Sequence, residues 1–519
     1  MPYNIINPDT AYKIQMIAVI LCTLVLFTKI FFSKIKTTNY KFALIKKVLN
    51  SLIVIFVLFM SINYFYISRA SEHYIHRWDM YHTVIGSKYF NELGYTKLYE
   101  CTLFYNEKTL HFFTPPARAR NLLTLNYETT KKLLKKSNCN SIFSQERQKE
   151  FINDLKTFND ITYPEFWKEI FLDKGYNGSP FYTFLISNIT NVVPISYNSL
   201  LALSCIDIVL VLIAFTFVLW AFGYKMALLS FIFFTLNFPN RYVHMGASIL
   251  RFDYIAYTII ALCLYRKNKF KTSAFLLALA SVIRMFPVLF ALGFIIKALM
   301  EFSKTKKIKI KYLNFILSFI ISLALLLGAS LTFGPGVKAW QKFFTNMKIH
   351  NQQSAGFRIG FKNLFMFKGE ITKKDRFVSY QKKANAFAKV KVYFYICFAI
   401  FLILAFMIMN KLEDLDASIL FGVFTFYLYF CSTRYYYSIL VLLILFLYKY
   451  RNELFSQVST LLLFLISAIA FVANYYNNFD PFIYNYLLSF MLLVYFLYLI
   501  IFLILKFKVW RFLNPKINY

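Results

Sequence analysis

"RKNKFKTSAFLLALASVIRMFPVLFALGFIIKALMEFSKTKKIKIK", residues 266–311, decides how this chain meets a membrane. The run 273–299 is apolar, yet lysines flank it on both sides. Lys and Arg concentrate in short cytoplasmic loops. A single crossing would put the two flanks on opposite sides, against that rule. The middle of the run offers a way out. In "VIRMFP", Pro287 cannot continue the helical hydrogen-bond ladder, and Arg284 is expensive at bilayer depth. Two short helices, about 273–283 and 287–299, then form a hairpin with its apex, Arg284 to Pro287, toward the outer side. The competing reading is one long helix with a proline kink, which inverts every later crossing.

The rest of the chain extends the same pattern. Of its 519 residues 59% are hydrophobic, and mean hydropathy is +0.53, which excludes an ordinary soluble protein. Further apolar runs lie near 13–33, 48–68, 198–222, 226–239, 252–265, 312–333, 391–410, 415–430, 435–448, 455–474 and 485–507. They are continuous rather than alternating, so they predict helices and not a β-barrel. With the hairpin, the expected fold is an all-α polytopic membrane protein with about 13 transmembrane segments. Lys34, Lys36, Lys41, Lys46 and Lys47 place the 34–47 link in the cytoplasm. The N-terminus then lies outside and the C-terminus inside. The chain divides into N-terminal helices (1–68), a long external loop (69–197), a helical core with the broken hairpin (198–333), a second external loop (334–390) and C-terminal helices with a cytoplasmic tail (391–519).

Loops of that length usually carry function. The first contains "QERQKEFINDLKTF" and "PEFWKEIF", which predict short amphipathic helices lying at the membrane interface. Cys101 and Cys139 share this loop and can pair if it is outside the cytoplasm, whereas no CxxC occurs among the seven cysteines. The first apolar run lacks the basic start and small-residue cleavage site of a signal peptide. The net charge of +34 does not imply nucleic acid, because much of the lysine flanks apolar segments as the positive-inside rule requires.

The short outer connections break the lysine pattern. "NRYVHMGASILR" (240–251), the 284–287 apex, "CSTRYYY" (431–437) and "YYNNFDPFIY" (475–484) contain no Lys, though Lys outnumbers Arg about threefold overall. They do contain Arg241, Arg251, Arg284 and Arg434, with His244 and Tyr435 to Tyr437 at the same level. A guanidinium stays charged and grips phosphate in bidentate fashion. Four of them on one face point to a phosphate site. The plainer reading is contact with lipid headgroups, or pairing with Asp253 and Asp480.

The first loop opens on "SEHYIHRWDMYH", residues 71–82, where His73, His76, Asp79 and His82 recur every third position. Three readings stand side by side: a metal site from His76, Asp79 and His82, a solvated helix with incidental histidines, or a general base at Asp79. Trp78 beside it suits desolvation of the carboxylate or stacking on a sugar face.

These pieces together resemble the GT-C superfamily of membrane glycosyltransferases, from about residue 48 to 450. Members have a long first external loop with an essential acid near its start, matched here by Asp79 in "HRWDMYH". They also have a broken basic-x-x-Pro hairpin, matched by "VIRMFP" with Arg in the basic place. "GASILRFDYIAY" and "STRYYYSIL" resemble pieces of the mannosyltransferase-like glycosyltransferase 87 type. The chain departs in lacking a second acid beside Asp79 and in having an added helix ahead of the first loop.

The resemblance implies an inverting sugar transfer from a polyprenyl-phosphate donor to a hydroxyl acceptor, a lipid or envelope glycan, at the outer face of the inner (cytoplasmic) membrane. Asp79 would be the base. Arg284, Arg251, Arg434 and His244 would hold the donor phosphate. Trp78, His76, His82, Tyr436, His350 and Arg358 would contact substrate. No resident cofactor is expected, with a divalent metal left open. The rival classes are a lipid or glycan transporter or flippase, which needs a polar path such as Asp207 offers, and a lipid-linked glycan polymerase or ligase.

Overall fold

The computed structural model describes residues 8–32, 74–135, 137–351, 357–366, 380–476 and 481–509, with scattered positions between 48 and 65. The 34–47 link, His73, Asp480, most of the 48–68 segment and the tail beyond 509 lie outside the described residues.

The protein is an all-α polytopic membrane protein. Six described helices are long and apolar enough to cross a bilayer: Asp9–Phe31, Tyr197–Phe222, Ile310–Leu331, Asn385–Met409, Leu454–Tyr476 and Ile483–Lys506. Three other apolar helices are shorter. Tyr224–Leu236, Asp253–Arg266 and Phe270–Ile283 have 13, 14 and 14 residues. At 1.5 Å per residue each covers only about 20 Å, against an apolar core of about 30 Å. They pack inside the bundle, and Asp253–Arg266 is buried over almost its whole length. The predicted run 435–448 is also different. Arg434–Leu440 is a 3-10 turn, and only Val441–Leu447 is α-helical. Its irregular backbone is served by side chains, as buried non-helical backbone must be: Asn237 Nδ2 donates to the Tyr437 carbonyl at 3.0 Å.

At the opening stretch the chain reverses direction. Phe270–Ile283 ends at Arg284, whose backbone is extended (φ −135°, ψ 116°), and Val288–Thr305 starts after Pro287. The ring of Tyr265 lies 5.0 Å from Phe270 and 3.9 Å from Phe294. In one kinked helix those two phenylalanines would be more than about 30 Å apart. A polar cluster locks the same end, with the Tyr312 hydroxyl 2.7 Å from both Asp414 and Glu301 and the Tyr265 hydroxyl donating to Asp414 at 3.0 Å. The hairpin reading holds and the kinked-helix reading does not.

The stretch between the first helices and Tyr197 is a folded lobe with its own hydrophobic core. Gln145–Asp160 and Pro164–Ile170 are helices, as predicted. Their apolar faces do not lie on a membrane, however. Phe151, Leu155, Phe158, Phe166 and Trp167 are all buried inside the lobe. A disulfide joins Cys101 to Cys139 within it. The lobe core continues into the hairpin apex through Val282 and Ile283, and into the helix Val337–Asn351 through Ala339 and Phe343. Ser179, which caps the lobe helix Pro180–Val192, donates to the Val282 carbonyl at 2.7 Å.

Candidate functional site

Between the lobe, the hairpin apex and the 431–437 connection lies a cavity of about 1220 Å³. Eleven residues expected to act on or bind substrate line it: Asp79, Arg284, Arg251, Arg434, His244, Trp78, His76, His82, Tyr436, His350 and Arg358; Arg241, the remaining outer arginine, does not, and its guanidinium lies over the Tyr12 ring at 4.3 Å. The eleven come from five separate stretches of chain, and the fold brings them to one place.

Asp79 sits on the one-turn helix Arg77–Met80, capped by His76, whose Nδ1 accepts the Asp79 N–H at 3.2 Å. The His76 N–H in turn donates to the Ala247 carbonyl at 2.8 Å, tying this turn to the "GASILR" loop. Directly after it, Tyr81–Ile85 forms a π-helical turn, a widening found often at functional sites. In the loop, Ala247 and Leu250 hold left-handed φ values of 58° and 49°. A branched or bulky residue rarely adopts that region, so this loop stores strain immediately before Arg251. Asp207 holds it there. Its carboxylate accepts the backbone N–H of Arg251 at 2.9 Å on each oxygen, and that of Phe252 at 3.0 Å.

That placement puts Arg251 Nε 3.2 Å from Asp79 Oδ2. The two atoms are close but not aligned as a hydrogen bond, and each is otherwise without a hydrogen-bond partner among the described residues. Burial works to raise the Asp79 pKa. Arg251 first, then His76, His82 and Arg284, outweigh it and hold the carboxyl below its ordinary value. Arg251 Nη2 also donates to the Tyr435 hydroxyl at 3.2 Å. Arg251, expected to help hold the donor phosphate, has Asp79 as its nearest charge.

Arg284, at the hairpin apex, is 8% exposed. Its guanidinium lies over the Tyr182 ring at 4.4 Å. Nε and Nη2 have no hydrogen-bond partner among the described residues. A buried cation facing a cavity with two unused donors is a ready anion site.

The other side of the cavity is built by the second long polar segment. Arg358–Ile359 pairs antiparallel with Ser432–Thr433, which fixes "RI" against "STRYYY". Arg358 Nη1 donates to the Cys431 carbonyl at 2.8 Å and also to the His350 carbonyl. His350 Nε2 lies 3.4 Å from Asn177 Oδ1. Arg434 Nη2 lies 3.2 Å from His244 Nδ1.

Two sequence readings change. The metal site from His76, Asp79 and His82 does not form, and among the described residues no three His, Cys, Asp or Glu side chains gather as a metal would need. His82 instead contacts the Tyr99 hydroxyl at 2.7 Å and Asp79 faces Arg251. Asp207 is no polar step on a path, because both its oxygens serve the backbone of 251–252.

Two residues were missed. Asp173 accepts the Trp78 indole N–H at 2.8 Å, which orients that ring at the cavity wall. Lys362 lines the cavity from the second segment, while Tyr435, expected at this level, touches Arg251. "FLDKGYNG" (171–178) and "FRIGFK" (357–362) are ordinary loop sequences, and only the fold gives Asp173 and Lys362 their neighbours.

No protein-family model, curated protein or solved structure matches this chain. The fold and the cavity together define a class: a multi-pass helical membrane protein whose folded lobe lines a cationic cavity.

Proposed function

We propose that this protein is a membrane glycosyltransferase. It moves a sugar from a polyprenyl-phosphate donor to a hydroxyl of a lipid or envelope glycan, at the outer face of the inner (cytoplasmic) membrane. The observation that carries the reading is the buried Arg284 guanidinium, whose Nε and Nη2 have no hydrogen-bond partner among the described residues, in the same cavity as the Asp79 carboxylate. A donor phosphate satisfies Arg284, with Arg434 and His244 further along the wall. The acceptor hydroxyl approaches from the Asp79 side. Its oxygen bonds to the anomeric carbon as the bond from that carbon to the phosphate oxygen breaks. The electron pair leaves on polyprenyl phosphate, where Arg284 stabilises it. The hydroxyl proton passes to Asp79, and attack from the opposite face inverts the sugar.

A carboxylate held below its usual pKa is a weak base but is always ionised. It accepts the proton late, when the acceptor oxygen has become acidic through bonding to carbon. Arg251 bridges the two halves, pairing with Asp79 at rest. A topology of about 13 segments with the lobe outside suits this reading, because disulfides such as Cys101–Cys139 persist in oxidising compartments. Transport is disfavoured by the engagement of Asp207 with backbone.

The test is incubation of the purified protein in lipid nanodiscs with a panel of radiolabelled polyprenyl-phosphate sugars and an envelope glycan extract. Release of polyprenyl phosphate with label in the extract supports the proposal. Equilibration of intact donor across a sealed bilayer, with no label transferred, replaces it with transport.

A further inference from the structure

The cavity has a second positive pole that the proposed transfer step does not use. Lys362 is 2% exposed. Its ammonium lies over three aromatic rings, Phe387 at 4.4 Å, Phe394 at 5.4 Å and Tyr429 at 5.7 Å. Such a cage holds a cation but does not neutralise it. Arg358, four positions earlier, is also buried, and among the described residues its side chain donates only to the carbonyls of His350 and Cys431. Neither has a carboxylate within ion-pair distance among the described residues. Burial chiefly, and Arg358 as a like charge, push the Lys362 ammonium down to about 8.

The cavity wall carries eight Lys and Arg side chains against three carboxylates, Asp79, Glu169 and Asp173. Asp79 is already taken by Arg251. The two groups of cations also come from different elements. Arg284 stands at the hairpin apex after Phe270–Ile283, whereas Arg358 lies in the strand paired with Ser432–Thr433 and Lys362 in the helix Phe361–Met366 that follows it. Buried cations without counter-ions are tolerated where a ligand completes them.

We infer that the cavity binds two anionic groups at once, one at Arg284 and a second, a phosphate or carboxylate, at Arg358 and Lys362. The identity of the ligands rests on the transfer reading, but the presence of two anion sites does not. The second group belongs either to a diphosphate-linked donor or to an acceptor that is itself anionic, such as a phosphate- or uronate-bearing glycan.

Calorimetric titration of the full-length protein in zwitterionic nanodiscs with inorganic phosphate, at constant ionic strength, tests this. The wild type takes up two phosphates. Lys362→Met, which fills the aromatic cage without charge, and separately Arg358→Lys, weaken one of the two by about tenfold or more and leave the other. Arg284→Met does the reverse. The inference is overturned if the wild type binds one phosphate, or if Lys362→Met and Arg358→Lys both leave two sites unchanged. Short-chain polyprenyl diphosphate that displaces both phosphates assigns the second site to the donor. Displacement of only one by the diphosphate, as by the monophosphate, assigns it to the acceptor. Two bound phosphates with no sugar transfer from any donor would sink the transferase reading and keep this one. Transfer with a single phosphate bound would do the opposite.

Discussion

Replacing Arg284 with methionine separates function from stability in one variant. Arg284 is 8% exposed, and two of its guanidinium nitrogens lack partners among the described residues. In the empty protein, burial costs the guanidinium several kcal/mol, and the buried Asp253 carboxylate and the Tyr182 ring at 4.4 Å offset that cost. Methionine keeps the volume and removes both the cost and its offset, so the empty variant stays within about 1 kcal/mol of wild type. With donor bound, the difference is large. Two charge-assisted hydrogen bonds are lost at about 1.5–3 kcal/mol each, which is roughly a hundredfold to ten-thousandfold in affinity. The assay is thermal unfolding of the purified protein with and without a short-chain polyprenyl-phosphate sugar. The wild type shifts upward on adding donor. Arg284→Met starts near the wild type and does not shift. A variant that is less stable when empty yet still shifts with donor would refute the reasoning, because Arg284 would then be structural.

Three further outcomes follow from other parts of the structure. Arg251→Gln removes the nearest cation from Asp79 and leaves burial opposed only by His76, His82 and Arg284, so the carboxyl pKa rises. In the wild type the carboxylate form is present above its depressed pKa and transfer is flat from pH 8 to about 5, whereas the variant gains an acid limb inside that window; identical pH–rate profiles would refute the pairing. Opening Cys101–Cys139, which closes a loop of 38 residues, costs the lobe about 4 kcal/mol by loop entropy, read as faster limited proteolysis of residues 90–160 after reduction. Full labelling of both thiols in unreduced cells would instead place the lobe in a reducing compartment. Asp207→Asn keeps one acceptor oxygen but loses the charge that holds the N–H groups of Arg251 and Phe252, so it lowers thermal stability by about 1–3 kcal/mol; unchanged stability would return Asp207 to the list of functional residues.

The hairpin was legible because two physical rules collided in one run: charge at both flanks, and an Arg and a Pro in the middle. The cavity residues were legible because arginine stands out where lysine is otherwise the common cation. Other features were not. The lobe helices 145–160 and 164–170 read as surface-seeking, since a single amphipathic stripe does not say whether lipid or protein covers it. The apolar runs 226–239 and 252–265 already matched the short lengths of helices 224–236 and 253–266, but the burial of 253–266 over almost its whole length shows only in the fold. Arg251 read as a phosphate ligand because its partner lies 172 positions away, across a strained loop that Asp207 holds. Lys362 was passed over as one lysine among many, and only burial under three rings distinguishes it.

The central claim is that Asp79 and Arg284 are the proton-accepting and phosphate-holding halves of one transfer site. The most direct measurement is Asp79→Asn, assayed in parallel for donor binding and for sugar transfer with a polyprenyl-phosphate sugar the wild type uses. The account predicts donor binding within about threefold of wild type and transfer reduced at least about a hundredfold. Transfer near the wild-type rate would contradict it.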